Sequence, residues 1–199
     1  LVGGAGVDRL YGGQGDDTYV VSSDLDQIVE IQGEGVDTVH STVSLRLADN
    51  VENLKLLGDE NLSGRGNAGD NVLIGNDGAN DLRGGGGDDF IFGGAGDDML
   101  AGDAGINVLE GGVGDDLINL RGGQDTVIFN AGDGFDRLYN FEHEADKVDL
   151  SSFGFSGFED IADKVVDAGM WLQIDLGGGD ALRFIGLDPA ELTGADFIF

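Results

Sequence analysis

The stretch GGGGDDFIFGGAGDDML, residues 84–100, states one phrase twice, nine residues apart. Its glycines suit turns, and its recurring apolar letters suit a core. The aspartates suit neither, so they need a separate reason. Outward from here the meter runs unbroken from Gly66 to Ile128. The seven units are GNAGDNVLI (66–74), GNDGANDLR (75–83), GGGGDDFIF (84–92), GGAGDDMLA (93–101), GDAGINVLE (102–110), GGVGDDLIN (111–119) and LRGGQDTVI (120–128). GGAGVDRLY (3–11) and GGQGDDTYV (12–20) open the chain in the same form. VSSDLDQIV (21–29) holds the register without glycines. QGEGVDTVH (32–40) and AGDGFDRLY (131–139) return after two-residue slips. The template is G-G-x-G-x-D-x-U-x, with U large and apolar.

Each place in the template has a physical task. Glycines at the first, second and fourth places permit positive φ and close approach of neighbouring backbones. The last three residues alternate, which predicts a three-residue strand with one side chain inward. One such strand cannot bury its face alone, but stacked copies can. Two units then form one coil of 18 residues, with a strand on each side. Units beginning at 66, 84, 102 and 120 share one edge, and units beginning at 75, 93 and 111 share the other. The fold class expected is all-β, a parallel β-roll.

Stacking explains the aspartates. Adjacent coils lie roughly 4.8 Å apart, and two carboxylates at that spacing repel by about 3.5 kcal/mol at an effective dielectric of 20. A divalent cation between them reverses the sign. Calcium takes six to eight oxygens and tolerates irregular geometry. One turn offers too few oxygens, whereas two stacked turns can complete a shell, so binding and folding become one event.

Composition sets outer bounds. The 199 residues carry 39 Asp+Glu against 10 Lys+Arg, a formal charge of −29. That balance argues against nucleic acid and anionic membrane surfaces as partners. Acidity alone would fit a disordered chain, but 40% of residues are hydrophobic and the acids keep fixed places. There is no cysteine, so disulfides and thiolate metal sites are excluded. No apolar run approaches the length of a membrane span, and no Sec-type signal opens the chain. With the repeat already under way at Gly3, the chain reads as a piece of something longer.

The units resemble the nonapeptide repeats of the RTX (repeats-in-toxin) family, GGxGxDxUx. Five fit the pattern fully: 3–11, 12–20, 84–92, 93–101 and 111–119. The resemblance implies a roll loaded with several Ca²⁺ ions, export by a type I secretion machine, and folding outside a bacterial cell. Such rolls are carried by serralysin proteases, RTX lipases, mannuronan epimerase R-modules and RTX adhesins. Carried over place by place, it puts metal-ligating carboxylates at Asp8, Asp17, Asp89, Asp98 and Asp116. Asp26, Asp37, Asp125 and Asp136 hold the same place in weaker units, and Asn71, Asn80 and Asn107 depart from the pattern there. It also implies ligation by backbone carbonyls of Gly3, Gly12, Gly84, Gly86, Asp88, Gly93, Ala95, Asp97, Gly111, Val113 and Asp115. An amide oxygen can ligate but carries no charge. The firmest sites are therefore expected between Asp98 and Asp116 and beside Asp89, with weaker ones at Asn107.

Two stretches break the meter. Residues 41–65, with Val43, Leu45, Leu47, Leu54 and Leu56, read either as longer strands continuing the roll without calcium turns or as a small separate domain. Residues 140–199 read as a cap for the open end of the roll, and the resemblance adds a type I export signal there. Within the cap, KVDL (147–150) is strand-like and adjoins an aromatic cluster. Phe158, Ile161, Ala162, Val165 and Val166 follow helical spacing, with Gly169 as a stop. WLQIDL and ALRFIGL read as a hairpin across GGGD. Residues 1–40 and 66–139 are then the first roll segment and the main array.

Other motifs carry little. Gly64, Gly66 and Gly69 spell G-x-G-x-x-G, but repeats follow instead of a long helix. No EF-hand loop and no HExxH occur. His143, between Glu142 and Glu144, reads as part of a solvated acidic turn, with metal contact the lesser option. Acid pairs are too common here to signal glycosidase chemistry, and no nucleophile–base set emerges. Trp171 is expected to pack in the cap, with sugar stacking a minor alternative, and the ninth-place Tyr11, Phe92 and Tyr139 should face outward. The reading is a non-enzymatic calcium-binding tail of a larger secreted protein whose missing part may be an enzyme. The rival is a carbohydrate-binding or adhesive module for extracellular polysaccharide. An anionic glycan would need a basic strip, and outward Arg83 and Arg121 are too few to make one.

Overall fold

The structure, a computed structural model, describes residues 1–188 and 190–199. Two nine-stranded sheets enclose the inward side chains. In spatial order the first holds Thr18–Val21, Thr38–Ser41, Asn53–Leu56, Val72–Ile74, Phe90–Ala95, Val108–Val113, Thr126–Ile128, Lys147–Asp149 and Phe197–Ile198, all parallel. The second runs Leu45–Arg46, Ser63–Arg65, Asp81–Gly86, Met99–Ala104, Leu117–Asn119, Phe135–Tyr139, Asp180–Ile185, Trp171–Gly177 and Val165–Asp167. A separate parallel pair joins Arg9–Tyr11 to Gln27–Val29.

The register is the sequence meter made physical. Phe90 pairs with Val72 and Val108, and Met99 pairs with Asp81 and Leu117, each a step of two units. The molecule is thus an all-β parallel roll, with units alternating between the two sheets. The eighth-place residues Leu73, Leu82, Ile91, Leu100, Leu109, Ile118, Val127 and Leu138 form a fully buried column. Burying one such side chain contributes about 1.5–3 kcal/mol. Ordering the backbone costs about 1 kcal/mol or more per residue, and each unit has nine residues. The apolar column is therefore insufficient by itself, and the turns must contribute.

Two details differ from expectation. Strands of three residues occur at Val72–Ile74, Leu117–Asn119 and Thr126–Ile128, but four central strands run to six. They continue through the opening glycines of the next unit, where Gly94 pairs with Gly112 and Ala95 with Val113. Gly94 sits at φ +111, and an added Cβ would lie 2.8 Å from the Asn76 carbonyl oxygen, so only glycine lets these backbones meet. Between residues 41 and 65 the strands are short, two to four residues, and belong to the two sheets. Leu47 and Val51 are buried in the turn between them, around Asn50 at φ +65.

The cap adds a last coil. Asp180–Ile185 stacks parallel on Phe135–Tyr139, and Phe197–Ile198 stacks on Lys147–Asp149. Between them the expected hairpin forms, Trp171–Gly177 against Asp180–Ile185. The expected helix does not extend. Phe158–Asp160 and Ala162–Lys164 are single 3₁₀ turns, and Val165–Asp167 is an edge strand antiparallel to Trp171–Gly177. The Phe158-to-Ile161 spacing of three suits a 3₁₀ turn as well as a helix, and β-branched Val165 and Val166 favour the strand. Gly169, read as a helix stop, occupies the turn between those strands at φ +83. The aromatic cluster is present: Phe129, Phe153 and Phe155 stack in series, and Phe141, Phe158, Phe184, Phe197 and Phe199 pack together.

His143 is a correction. The turn is exposed at Glu142 and Glu144 as expected, but His143 is anchored rather than solvated, because its Nδ1 lies 2.8 Å from Oδ1 of the fully buried Asp196. Asp196 also accepts from the Glu144 and Thr193 N–H groups. These bonds and the imidazole hold its carboxyl below the ordinary range despite burial, and they tie the 142–146 turn to the chain's last strand.

Candidate metal centre

Sixth-place residues stack in two columns, one at the edge of each sheet. Along the second sheet the Asn80 N–H donates to Asp98 Oδ1 at 2.7 Å, Asp98 to Asp116 Oδ1 at 2.7 Å, and Asp116 to Asp136 Oδ1 at 3.0 Å. Along the first, Asn71 donates to Asp89 Oδ1, Asp89 to Asn107 Oδ1, Asn107 to Asp125 Oδ1 and Asp125 to Asp146 Oδ1, at 2.8–3.0 Å. Near the N-terminus, Asp8 donates to Asp26 Oδ1, Asp17 to Asp37 Oδ1 and Asp37 to Glu52 Oε2. One oxygen of each acceptor thus serves as a rung between coils.

The other oxygen has no such partner. Oδ2 of Asp8, Asp26, Asp89, Asp98, Asp116, Asp125 and Asp136 is buried without a hydrogen bond. Each such atom is costly unless a proton or a cation meets it. The space above the first-place glycines is where oxygens converge. A Cβ on Gly93 would strike both Asp98 Oδ2 and the Gly111 carbonyl oxygen. One on Gly84 would strike Asp89 Oδ2 and lie 2.7 Å from the Gly102 carbonyl oxygen. One on Gly111 would strike Asp116 Oδ2, and one on Gly3 would lie 2.7 Å from Asp26 Oδ2. Carboxylate and carbonyl oxygens from stacked turns around a space only glycine leaves open are a donor set suited to calcium. The chain's own residues fit the ion.

Burial pushes these carboxyls up: Asp89 to about 7, Asp98 to about 6, Asp116 to about 7, Asp125 to about 6 and Asp136 to about 8. Asp133 rises to about 6, also through burial, and Asp37 and Asp146 rise for the same cause. At Asp136 the charge of Asp116 adds to burial. The backbone N–H rungs pull the other way and lose. Among the described residues, ion pairs join Arg83 to Asp81, Arg121 to Asp103, and His143 to Glu144 and Asp196. None reaches a sixth-place carboxylate.

The asparagines behave differently. Asn71 Nδ2 donates to the carbonyls of Val51 and Glu52, Asn80 Nδ2 to Asn76 Oδ1, and Asn107 Nδ2 to Asp125 Oδ1. Their amide protons occupy the role a cation would fill. The edge with Asp98, Asp116 and Asp136 therefore carries unbroken charge, while asparagine alternates along the other.

Some of the carbonyls named from the resemblance also take part in backbone pairing. The Val113 carbonyl accepts from the Gly96 N–H at 2.9 Å, and Gly86 and Ala95 lie within paired strands. Asp88, Asp97 and Asp115 have a further role through their side chains: Oδ1 of each accepts from Ile106, Asp115 and Phe135 N–H groups respectively. With Asp16 and Asp70 they build an outer, fifth-place ladder that the sequence reading missed. Missed too were Asp146 and Glu52. Asp146 has both oxygens satisfied, the second by the Glu142 N–H, so it ends its ladder without demand for an ion. The signal was present, because ADKVD aligns Asp146 with the D-x-U step of the template. At the N-terminal end, Asp17 and Asp37 share their turn with Glu30 and Tyr19, and Gly12 stands beside them.

No helix is long and apolar enough to cross a membrane among the described residues. The chain is 35% identical over 191 residues to the endo-1,3-1,4-beta-glycanase ExsH of Rhizobium meliloti (strain 1021), across 94% of this chain and 34% of that protein. It is 36% identical over 188 residues to the endo-1,3-1,4-beta-glycanase EglC of the same strain, with the same coverage. It thus spans about a third of the length of these relatives. The extracellular lipase LipA of Serratia marcescens superimposes with a TM-score of 0.48 at 18% identity, over 96% of this chain and 38% of the lipase. A subunit of the Azotobacter vinelandii mannuronan C5-epimerase gives 0.34 at 24% identity, over 72% and 81%. The RTX calcium-binding nonapeptide repeat matches residues 1–28, 65–100, 92–127 and 101–138, about half the chain. With glycine-lined turns and stacked carboxylates in the same stretches, the chain belongs to the RTX calcium-binding nonapeptide repeat family.

Proposed function

We propose that this chain is a calcium-gated folding module, the tail of a larger protein exported by a type I machine. Cytosolic calcium is scarce, so the carboxylate columns hold the chain open and threadable. Extracellular modules bind calcium at about 10⁻⁴–10⁻³ M, and calcium outside the cell then closes the roll coil by coil. The observation that carries this reading is the row of buried, unpartnered Oδ2 atoms on Asp89, Asp98, Asp116, Asp125 and Asp136. The ligands are the sixth-place aspartates with first-place carbonyls, and the Asp98–Asp116–Asp136 edge is the tightest stretch of the main array. Residues 140–199 serve as cap and export signal, and catalysis belongs to another part of the protein. Circular dichroism with calcium and with EGTA tests it. A β-sheet spectrum that appears with calcium and collapses on chelation is expected. An unchanged spectrum in EGTA overturns the reading.

A second reading is favoured by one surface. Arg183 lies between two rings, 4.1 Å from Trp171 and 4.6 Å from Phe135, and Arg137 stands 4.6 Å from Phe135. Arg137 and Arg183 are direct neighbours across strands, and the sheet continues to Gln173. Two adjacent arginines flanked by flat rings suit an acidic sugar chain, and the two relatives above are named as glycanases. In this reading the module holds a polysaccharide near a catalytic partner domain. Titration with alginate and with a neutral β-glucan, in calcium, decides it. Alginate binding lost in R137A/R183A supports this reading, and no binding by either glycan removes it.

A further inference from the structure

The first coils carry a carboxylate that the repeat does not call for. Tyr11 pairs with Val29, so Glu30 stacks on Gly12, a first-place glycine. Glycine is the template's residue at that place. Glu30 sends a carboxylate into the turn instead and is 8% exposed. Its Oε1 accepts from the hydroxyl of Tyr19, itself fully buried, and its Oε2 is buried with no hydrogen-bond partner. Asp17, Glu30 and Asp37 each place an oxygen within 4.8 Å of the other two. A Cβ on Gly12 would strike Tyr19 Oη and Glu30 Oε1 and lie 2.6 Å from Asp17 Oδ2, so this glycine keeps the space open. Asp37 is 1% exposed, and its N–H is bound to a fourth acid, Glu52, at 2.7 Å. No lysine, arginine or histidine pairs with any of the three among the described residues.

We propose that Glu30, which the nonapeptide pattern does not supply, joins the sixth-place pair Asp17 and Asp37 in a three-carboxylate site for a hard cation, tighter than the two-carboxylate repeat sites. It rests on the calcium reading above. Repeat turns bring one aspartate from each of two coils, whereas here a third carboxylate joins, and ligand charge count raises affinity for calcium. Filling this site first fixes the two-residue slip between the 12–20 and 32–40 units, because its ligands lie on both sides of that slip. Tyr19 gives it an optical signature. A lanthanide held by Glu30 sits beside the phenol and takes excitation energy from it, while the exposed Tyr11 and the half-buried Tyr139 have no hydrogen bond to a carboxylate among the described residues.

The test uses the full 199-residue chain. Terbium emission excited through tyrosine is followed during titration, with calorimetric calcium titration alongside. The expected result is a sensitised phase that saturates before the bulk of the sites and is displaced by calcium. Tyr19→Phe should abolish that emission while calorimetry still records the tight phase. Glu30→Gln should weaken the tight phase at least about tenfold while leaving the later phase unchanged. If E30Q leaves the first phase as in the parent chain, while D98N and D116N alter the later one, this site is refuted and the calcium roll stands. Binding of no metal by the parent chain refutes both. Sensitised emission that survives Y19F places the tight site elsewhere and also overturns the proposal.

Discussion

At the sixth place of a unit, aspartate and asparagine present nearly the same shape with opposite demands. Asn107 gives its Nδ2 protons to Asp125, while Asp116 leaves Oδ2 buried and unpartnered. Asp116→Asn should therefore split by condition. In EGTA the variant should be more stable than the parent by about 1–3 kcal/mol, the cost of a buried unsatisfied group. In saturating calcium it should be less stable and bind fewer ions. Thermal melts in both conditions, with calorimetric stoichiometry, check the crossing. Asp116→Ala has no such crossing, because it also strips the rung from the Asp98 N–H and destabilises both forms. Gly93→Ala makes the complementary case. Its Cβ would occupy the space between Asp98 Oδ2 and the Gly111 carbonyl. It should lose calcium there and cost about 1–3 kcal/mol in calcium from overpacking. Intact calcium stoichiometry in that variant would count against a cation above the first-place glycine.

At the scale of the strand and its turn, the carboxyls along one edge titrate as a group. Their folded values, about 6 to 8 for Asp98, Asp116 and Asp136, lie above the unfolded 3.8. Without metal, the folded chain therefore holds protons that the unfolded chain releases. That stability is complete below about pH 4 and is lost as pH rises through 6 to 8. In EGTA the roll should melt at a higher temperature at pH 5 than at pH 8. With calcium the order should reverse, since protons compete for the same oxygens and affinity falls as pH drops through that window. Paired melts across pH check both signs. This ladder was legible in sequence because a fixed nine-residue phase fixes which residues stack, and Asp98 and Asp116 stack as the phase requires. Glu30 was missed although phase marked it: it lies a two-unit step from Gly12, where the template has glycine, but that its carboxylate enters the turn shows only in the packing around Gly12. The 3₁₀ turns at 158–164 were hidden by ambiguity, since a spacing of three serves a helix and a tighter turn equally.

For the whole molecule, a charge of −29 opposes compaction everywhere, while each coil touches only its neighbours. Such stacks gain stability by nearest-neighbour addition and lose it from their ends. The cap closes one end by two routes. Phe197–Ile198 extends the first sheet beyond Lys147–Asp149, and Asp180–Ile185 extends the second beyond Phe135–Tyr139. Phe197 is buried against Phe158, Phe184 and Phe199, directly beside Asp196 with its His143 contact. Sequence periodicity could not reveal this closure, because Asp180 returns to the sheet far outside the nine-residue phase. Phe197→Ala should cost about 3 kcal/mol, typical of removing a buried ring. The loss should appear as a higher calcium concentration at the folding midpoint, because binding must now also offset a frayed last coil. The number of ions bound at saturation should stay the same, since no sixth-place ligand is touched. Calcium titrations followed by circular dichroism and by calorimetry separate the two quantities. A midpoint equal to that of the parent chain would show that the array folds without help from its cap.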